Sequence, residues 1–214
     1  MLEYSAFNDL VFNKVPASAT TILDVGCGTG MMGKALKDQK KERFVYGITY
    51  SDKEHDAAIK FLDKVSISDI NNELPDVNMK FDCIIFSHIL EHTYEPGKVL
   101  KSFSRFLEID GKIIIALPNV LQYKQRLEFT KGNFKYSLNG GLMDITHFKF
   151  FDWLTAQEMI TNSGFKIISK EASGNFPLPF IRKLLPSFSR FIDRVSLKTW
   201  PGLFAFQFVF VAEK

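Results

Sequence analysis

Three groups of residues in this sequence have types and spacings that suit chemistry. The first is the string ILDVGCGTG at residues 22–30, where an apolar run ends at an acid and glycines follow at alternate positions. Glycine lets a backbone approach a ligand where a side chain would collide with it. The residues after Gly30 have helical spacing, and a helix N-terminus attracts anionic groups. The string predicts a strand, a ligand-binding loop and a helix.

Two classes of ligand fit such a loop, a dinucleotide and S-adenosylmethionine. Gly28, Gly30 and Gly33 satisfy the dinucleotide pattern G-x-G-x-x-G, which alone is a weak signal. That pattern also expects an acid at the end of the second strand, about 20 residues on. The sequence has Thr49 there and no acid before Asp52. This difference favours S-adenosylmethionine.

The complete string LDVGCGTG resembles motif I of the class I S-adenosylmethionine-dependent methyltransferases, and the resemblance covers about residues 20–120. It implies an S-adenosylmethionine cofactor whose methionine half lies against the loop. The residues that would line that half are Asp24, Gly26, Cys27, Gly28 and Gly30. A non-catalytic cofactor-binding module and a nicotinamide-dependent oxidoreductase are the competing classes.

The same resemblance assigns the remaining cofactor positions. Thr49 occupies the place where a carboxylate usually holds the ribose hydroxyls, so the sequence departs there from the commonest pattern. Asp69 and Ile70 match the position that binds the adenine amino group, although Asp69 could instead cap a helix. Ser87 and His88 end the fourth strand, where backbone and side chains usually contact the cofactor.

The second chemical group follows that strand, in the string ILEH at residues 89–92. It resembles the Leu-Glu-His string of small-molecule methyltransferases. His88, Glu91 and His92 offer three possible metal ligands, but their spacing is not a standard zinc pattern. A backbone N–H that donates to Glu91 and a carbonyl that accepts from His92 explain the string more simply, so we expect no metal.

The third group is Asp144 and His147, in a glycine-containing segment at residues 132–151. A carboxylate that orients the histidine would make His147 a general base for the methyl acceptor. Alternatively, both side chains brace the loop through backbone hydrogen bonds. The string D-x-T-H-x-x-F-F resembles bacterial methyltransferases associated with polysaccharide and surface-glycan synthesis. That resemblance implies a sugar hydroxyl as acceptor, with another small hydroxylated metabolite as the second choice.

An insertion at residues 175–201 combines an apolar stripe with basic residues. Five cations oppose the stripe, and Asp193 is the only acid. The segment could form a lid or lie on an anionic membrane surface. The commoner explanation is an amphipathic helix packed on its own domain or on a second subunit in a homodimer.

Local patterns predict several of the elements that position these groups. Apolar spacing predicts a helix over residues 3–14, and apolar runs predict strands at residues 44–49 and 81–87. Ser51 and Glu54 have the spacing of a capping box. Asp110 and Gly111 predict a turn before a strand at residues 112–117.

Along the chain, strands alternate with helices. This order predicts one α/β domain over residues 1–214, with an N-terminal helix in residues 1–19 and the cofactor core in residues 20–120. We expect a Rossmann-like sheet of seven strands, mostly parallel, with helices on both faces and an antiparallel last strand. Ligands of such sheets bind at the carboxyl ends of the strands.

Bulk composition limits the other partners. A net charge of +3 gives no reason to expect nucleic acid, and 46% hydrophobic residues is ordinary globular composition. Neither Cys27 nor Cys83 is placed for a disulfide, and the sequence shows no signal peptide, so we expect a cytoplasmic location.

Overall fold

A computed structural model describes residues 7–138 and 140–214 of the chain. It forms a seven-stranded sheet in the order β3-β2-β1-β4-β5-β7-β6, and β7 runs antiparallel to both its neighbours. The strands are β1 (Thr21–Val25), β2 (Phe44–Thr49), β3 (Lys64–Ile67), β4 (Phe81–Ser87), β5 (Leu107–Pro118), β6 (Lys166–Gly174) and β7 (Ala205–Glu213). The predicted fold class is therefore confirmed.

Helices cover both faces of this sheet. They are α1 (Asp9–Phe12), α2 (Met31–Gln39), α3 (Asp52–Ala58), α4 (Pro96–Phe103), α5 (Tyr123–Thr130), α6 (Trp153–Asn162), α7 (Pro179–Leu184), α8 (Pro186–Thr199) and α9 (Pro201–Phe204). Apolar residues of α4 and α6 pack on one face, in a cluster with Leu23 and Phe86. Apolar residues of α1, α2 and α3 pack on the other face, with Ile22 and Ile85. The central strands are apolar throughout because both of their faces are buried.

The strand order places a switch point beside β1. From β1 the chain builds outward through β2 and β3, then returns to place β4 on the other side of β1. Val25 is in register with Ile48 on one side and with Phe86 on the other. Ligands of doubly wound sheets bind at such a point, beyond the carboxyl ends of the strands. The predicted cofactor loop follows β1 at this position.

Three local predictions differ from the structure. The helix predicted over residues 3–14 is described only as Asp9–Phe12, and residues 1–6 lie outside the described part of the chain. The turn predicted at Asp110 and Gly111 lies inside β5, because the register shifts between the pairs Phe81–Leu107 and Cys83–Lys112 and this bulge absorbs the extra residues. The capping box predicted from Ser51 and Glu54 does not form, since the Ser51 side chain makes no cap hydrogen bond.

Candidate functional site

The loop between β1 and α2 is fixed by its glycines and by the end of β2. Gly26, Gly28 and Gly30 have φ angles of +76°, +51° and +83°, which side chains rarely adopt. The N–H groups of Gly26 and Cys27 both donate to the Ile48 carbonyl, at 2.8 and 2.9 Å. These two amides are therefore used inside the protein, and a ligand meets the later part of the loop and the start of α2.

The loop also contacts the segment after β4. A Cβ at Gly26 would lie 2.8 Å from Ile89 Cδ1, so the backbone of the loop packs directly on the Ile89 side chain. Ile89 precedes a short 3₁₀ helix over Leu90–His92, which contains the ILEH acid and histidine. The predicted cofactor loop and the histidine-containing segment are thus adjacent in space.

A buried carboxylate lies at the end of β1. Asp24 is 3% exposed, and its Oδ2 has no hydrogen-bond partner among the described residues. Burial raises the pKa of the Asp24 carboxyl to about 7, because removal from water disfavours the charged form. Burial also raises the pKa of the Cys27 thiol, and the charges of Asp24 and Glu54 raise it further. Cys27 is therefore a protonated packing residue, and two carboxylates lie on either side of it.

The second of these carboxylates was missed by the sequence interpretation. Thr49 is buried at the end of β2, and its Oγ1 donates to Glu54 Oε2 at 2.6 Å. Glu54 reaches this position from the first turn of α3. The carboxyl end of β2 therefore does have a carboxylate, which Glu54 supplies from a position five residues after Thr49. The sequence does contain a signal for this contact, because the acid Glu54 follows the strand-end hydroxyl of Thr49 by about one helical turn.

The Asp24 carboxyl bears on the choice between the two candidate ligands, whereas Glu54 at the end of β2 suits the ribose of either one. A dinucleotide pyrophosphate in the loop would bring negative charge towards Asp24, and like charges repel when this carboxyl is ionised. S-adenosylmethionine instead has an ammonium group and ribose hydroxyls, which can donate to carboxylates. The residues at this edge fit S-adenosylmethionine.

The remaining predicted cofactor residues lie along the same edge. Asp69 forms a local turn, in which Oδ1 accepts from the Asn71 N–H at 3.0 Å and Oδ2 from Asn72 Nδ2 at 2.7 Å. Ile70 packs against the apolar core. Ser87 is the last residue of β4, one position beyond the register pair of Val25 and Phe86.

His88 is held by two acceptors. It has a φ of +55°, which is uncommon outside glycine. Its Nδ1 lies 3.2 Å from Glu91 Oε1 and its Nε2 lies 2.7 Å from Gln207 Oε1. Burial lowers the His88 pKa, but the hydrogen bonds and the charge of Glu91 outweigh burial, and the net pKa is raised. The ring of His88 is therefore committed to protein partners, and only its backbone is left to line a cofactor.

His147 lies beside His92, an arrangement that the sequence interpretation missed. The two rings meet edge to face, with centroids 4.7 Å apart. His147 Nδ1 lies 3.2 Å from the Leu142 carbonyl, and His92 Nδ1 lies 3.1 Å from the Thr146 carbonyl. A carbonyl only accepts hydrogen bonds, so each Nδ1 has the proton. Burial lowers the His147 pKa, which favours the neutral imidazole.

The contacts of Asp144 and His147 match the second of the two interpretations, in which both side chains brace the loop through hydrogen bonds to the backbone. The Asp144 carboxylate accepts from the N–H and the Oγ1 of Thr146, both at 2.8 Å. The Leu142 carbonyl lies 3.2 Å from Nδ1 of the His147 ring, and the His147 N–H donates to the Asp144 carbonyl at 3.0 Å. Asp144 therefore orders the loop that positions His92 and His147, because Thr146 connects it to the His92 ring at 3.0 Å.

Fold and site together define a Rossmann-like domain for an adenosyl cofactor. The sequence matches the methyltransferase domain family over residues 5–170. The chain belongs to this family of S-adenosylmethionine-dependent methyltransferases.

Relatives of known sequence or structure agree with this family. The chain is 28% identical to a ubiquinone biosynthesis O-methyltransferase of Coxiella burnetii over 104 residues, which is 46% of this chain and 43% of that protein. It thus spans less than half the length of that curated relative. It shares its fold with a methyltransferase of Archaeoglobus fulgidus (TM-score 0.58, 19% identity, 92% of this chain and 87% of the other). A methyltransferase of Mesorhizobium loti gives a TM-score of 0.62 at 15% identity, with 96% of each chain covered.

Glu54 provides a direct test of the cofactor edge. We expect Glu54→Gln and Thr49→Val each to weaken S-adenosylmethionine binding by about tenfold, since a hydrogen bond to a charged group contributes about 1.5–3 kcal/mol. Titration calorimetry on the purified variants measures this change. Asp52→Asn is the matched control, because it removes a charge from the same turn of α3 and does not contact Thr49. Equal affinity in Glu54→Gln and wild type would show that this carboxylate does not contact the cofactor.

Proposed function

We propose that the protein transfers a methyl group from S-adenosylmethionine to a hydroxyl oxygen of a sugar, a glycan or another small acceptor. The observation that supports this most is the position of residues 88–92. Ile89 packs on the cofactor loop at Gly26, while His92, three residues on, lies against His147. A methyl donor in the loop would therefore lie next to side chains that can act on an acceptor.

For methyl transfer, the protein needs mainly to position the acceptor and to activate its hydroxyl. S-adenosylmethionine supplies a methyl group on a sulfonium, and the acceptor oxygen displaces the sulfur in line. The hydroxyl proton must leave as the new C–O bond forms. His147 is neutral with its proton on Nδ1, so Nε2 has the lone pair. We assign to His147 the activation of this hydroxyl, and to Asp144 the positioning of its loop.

The functions of two relatives support a small acceptor but differ in the methylated atom, which is oxygen in one and nitrogen in the other. The Coxiella burnetii relative is an O-methyltransferase of ubiquinone biosynthesis. A Papaver somniferum relative, 27% identical over 104 residues, is an N-methyltransferase. The acidic and histidine-rich edge favours oxygen, because a hydroxyl has a proton to lose and a neutral amine needs no base.

A methyl-transfer assay tests this function. Purified protein is incubated with methyl-labelled S-adenosylmethionine and panels of sugars, nucleotide sugars, phenols and amines. We expect label in a hydroxylated product together with S-adenosylhomocysteine. Cofactor binding without transfer to any panel would favour a non-catalytic module. Binding of a nicotinamide dinucleotide and not of S-adenosylmethionine would favour an oxidoreductase.

We further propose that α7 and α8 lie on an anionic membrane, where a lipid-linked acceptor would be presented. Phe180 and Leu184 are 81% and 79% exposed, and the buried residues of α8 are serines, Ser189 and Ser196. Leu197 of α8 packs against the core, but the apolar side chains of Phe188, Phe191 and Val195 are exposed and point away from the domain. Exposed cations on the two helices, which attract anionic lipid, are Lys183, Arg190, Arg194 and Lys198.

Contact with lipid would be peripheral. In residues 7–138 and 140–214, no helix has the length and apolarity needed to span a bilayer. The buried free thiols of Cys27 and Cys83 agree with a cytoplasmic location, which we also propose.

Vesicle flotation tests the lipid contact. We expect wild-type protein to float with phosphatidylglycerol vesicles at low salt and not with phosphatidylcholine vesicles. Phe180→Ser combined with Leu184→Ser should lower the bound fraction severalfold, since each exposed side chain contributes through its buried apolar area. Ile109→Ser is the control, because Ile109 is 85% exposed but lies in β5. No flotation together with a dimer on size-exclusion chromatography would assign this face to a second copy of the chain.

A further inference from the structure

We propose that Glu91, His92 and His147 form a binding site for one divalent transition-metal cation. One ligand atom of each residue lies within 4.8 Å of the other two. The sequence interpretation favoured hydrogen bonds at Glu91 and His92 and expected no metal. It had no means of placing His147 beside them, because Thr146, the residue before His147 that contacts the His92 ring, lies 54 positions from His92 in the sequence.

Glu91 provides an observation independent of the cluster itself. The residue is 1% exposed. Its Oε1 is held by His88, but its Oε2 has no hydrogen-bond partner among the described residues. An unpaired buried carboxylate oxygen is costly, because burial removes its hydrogen bonds to water and puts nothing in their place. A cation shared with the two imidazoles would satisfy that oxygen.

Both imidazoles are in the form that binds metals. The carbonyls of Leu142 and Thr146 take the Nδ1 protons of His147 and His92, and each lone pair is then on Nε2. Backbone carbonyls orient metal-binding histidines in this way in many proteins. His88 plays the corresponding part for Glu91 by donating to Oε1.

The spacing requires only a modest closure. Ligand atoms on one cation lie about 3 Å apart, given metal–ligand bonds of about 2.0–2.2 Å. The present separation of up to 4.8 Å closes if the side chains move by roughly 1–2 Å. His92 and His147 are only partly buried, so their rings have room for this movement.

The donor set indicates the kind of cation. Two imidazoles and one carboxylate suit first-row cations from Mn²⁺ to Zn²⁺ better than Ca²⁺, which prefers oxygen ligands alone. Three protein ligands leave coordination positions open, as in catalytic metal sites. The oxygen of the methyl acceptor would bind the cation at one of those open positions.

The role of the cation rests on the proposed function and changes one assignment in it. A hydroxyl bound to a divalent cation loses its proton more readily, and in this case the proton leaves to water. His147 then acts on the hydroxyl through the cation, as a ligand, and does not itself take the proton. The cation site itself can be measured without any methyl acceptor.

Metal titration of the chain tests the site. Protein without a histidine tag is stripped with a chelator and titrated with Co²⁺ by visible absorption and with Zn²⁺ by calorimetry, with no cofactor present. We expect one ion per chain. His92→Asn and His147→Asn should each weaken binding at least tenfold, since the loss of even an outer-shell partner lowers metal affinity about 10–100-fold. Asparagine can still donate toward the Thr146 or Leu142 carbonyl, so the fold should be retained.

His55→Asn is the matched control, because this histidine lies on α3 beside Asp56 and outside the cluster. Thermal unfolding without metal verifies that each variant is folded. The inference is overturned if neither Co²⁺ nor Zn²⁺ binds stoichiometrically, or if His147→Asn binds as wild type does. Methyl transfer by stripped protein that binds no cation would leave the proposed function standing without this site. Cation binding in a protein that methylates no acceptor would support the cation site and contradict the proposed function.

Discussion

Replacing His147 with alanine is expected to lower kcat for methyl transfer by about 10²–10⁴-fold, the usual contribution of a group that acts on the proton of the reacting hydroxyl. Cofactor affinity should stay within about twofold of wild type, because the described contacts of the His147 ring are with Leu142, His92 and Phe150 and not with the glycine loop. A large fall in kcat with unchanged cofactor binding would separate activation of the acceptor from cofactor binding. The effect is expected whether the imidazole takes the proton or holds a cation.

The measurement is initial-rate kinetics with an identified acceptor, combined with calorimetry of S-adenosylmethionine binding. His55→Ala is the control, since it removes an imidazole outside the site. A second variant, Asp144→Asn, should give a smaller loss, because the Asp144 carboxylate orders the loop through Thr146 and does not itself act on the hydroxyl proton. If His147→Ala turns over at a near-normal rate, the assignment of His147 to the reaction is wrong.

Much of the fold could be predicted from local pattern alone. The bounds predicted for β2 and β4 match the structure, because buried parallel strands are short apolar runs between polar turns. The loop after β1 was placed correctly, because three glycines at alternate positions leave few other conformations. Boundaries failed where a longer-range contact decided them, as in β5, which begins at Leu107 through its bulge against β4.

The site was less predictable, because its key contacts join distant segments. The spacing predicts that Glu54 completes a capping box with Ser51, but in the folded chain the Glu54 carboxylate accepts from the Thr49 hydroxyl, which the packing of α3 on β2 brings next to it. His88 reaches Gln207, 119 residues away, so no spacing rule could find that pair. For Asp144 and His147 the sequence leaves two interpretations open, a carboxylate-oriented base and a loop braced by backbone hydrogen bonds, and it cannot place the Leu142 carbonyl beside the His147 ring. Sequence spacing therefore predicts which residues lie at the carboxyl edge of the sheet, but it does not predict which of their side chains are in contact.

Replacing Asp24 with asparagine is expected to stabilise the protein above neutral pH and to weaken cofactor binding. Burial raises the pKa of Asp24 from 3.8 to about 7, so the folded protein binds more protons than the unfolded chain between these values. Stability is therefore greatest below about pH 4, falls as the pH rises towards 7, and is level above that. One pKa unit corresponds to about 1.4 kcal/mol, so the cost at pH 8 reaches up to about 4 kcal/mol. Asparagine has no proton to lose and escapes this cost.

The expected result is a gain in the free energy of unfolding for Asp24→Asn at pH 8 that shrinks towards pH 4, measured by urea denaturation across this range. At pH 8 the variant should bind S-adenosylmethionine at least about tenfold more weakly, because it lacks a charged acceptor for the cofactor.

Asp82→Asn is a control for which the expected change in stability has the opposite sign. Burial would raise the Asp82 pKa, but hydrogen bonds from Thr20 and Thr21 outweigh it and lower the pKa. That carboxylate therefore stabilises the fold above about pH 4, and its replacement should destabilise the protein at pH 8. A wild-type protein whose stability does not fall between pH 4 and 7 relative to Asp24→Asn would show that Asp24 has a partner in solution. The orphaned oxygen would then be no argument for a cationic cofactor group.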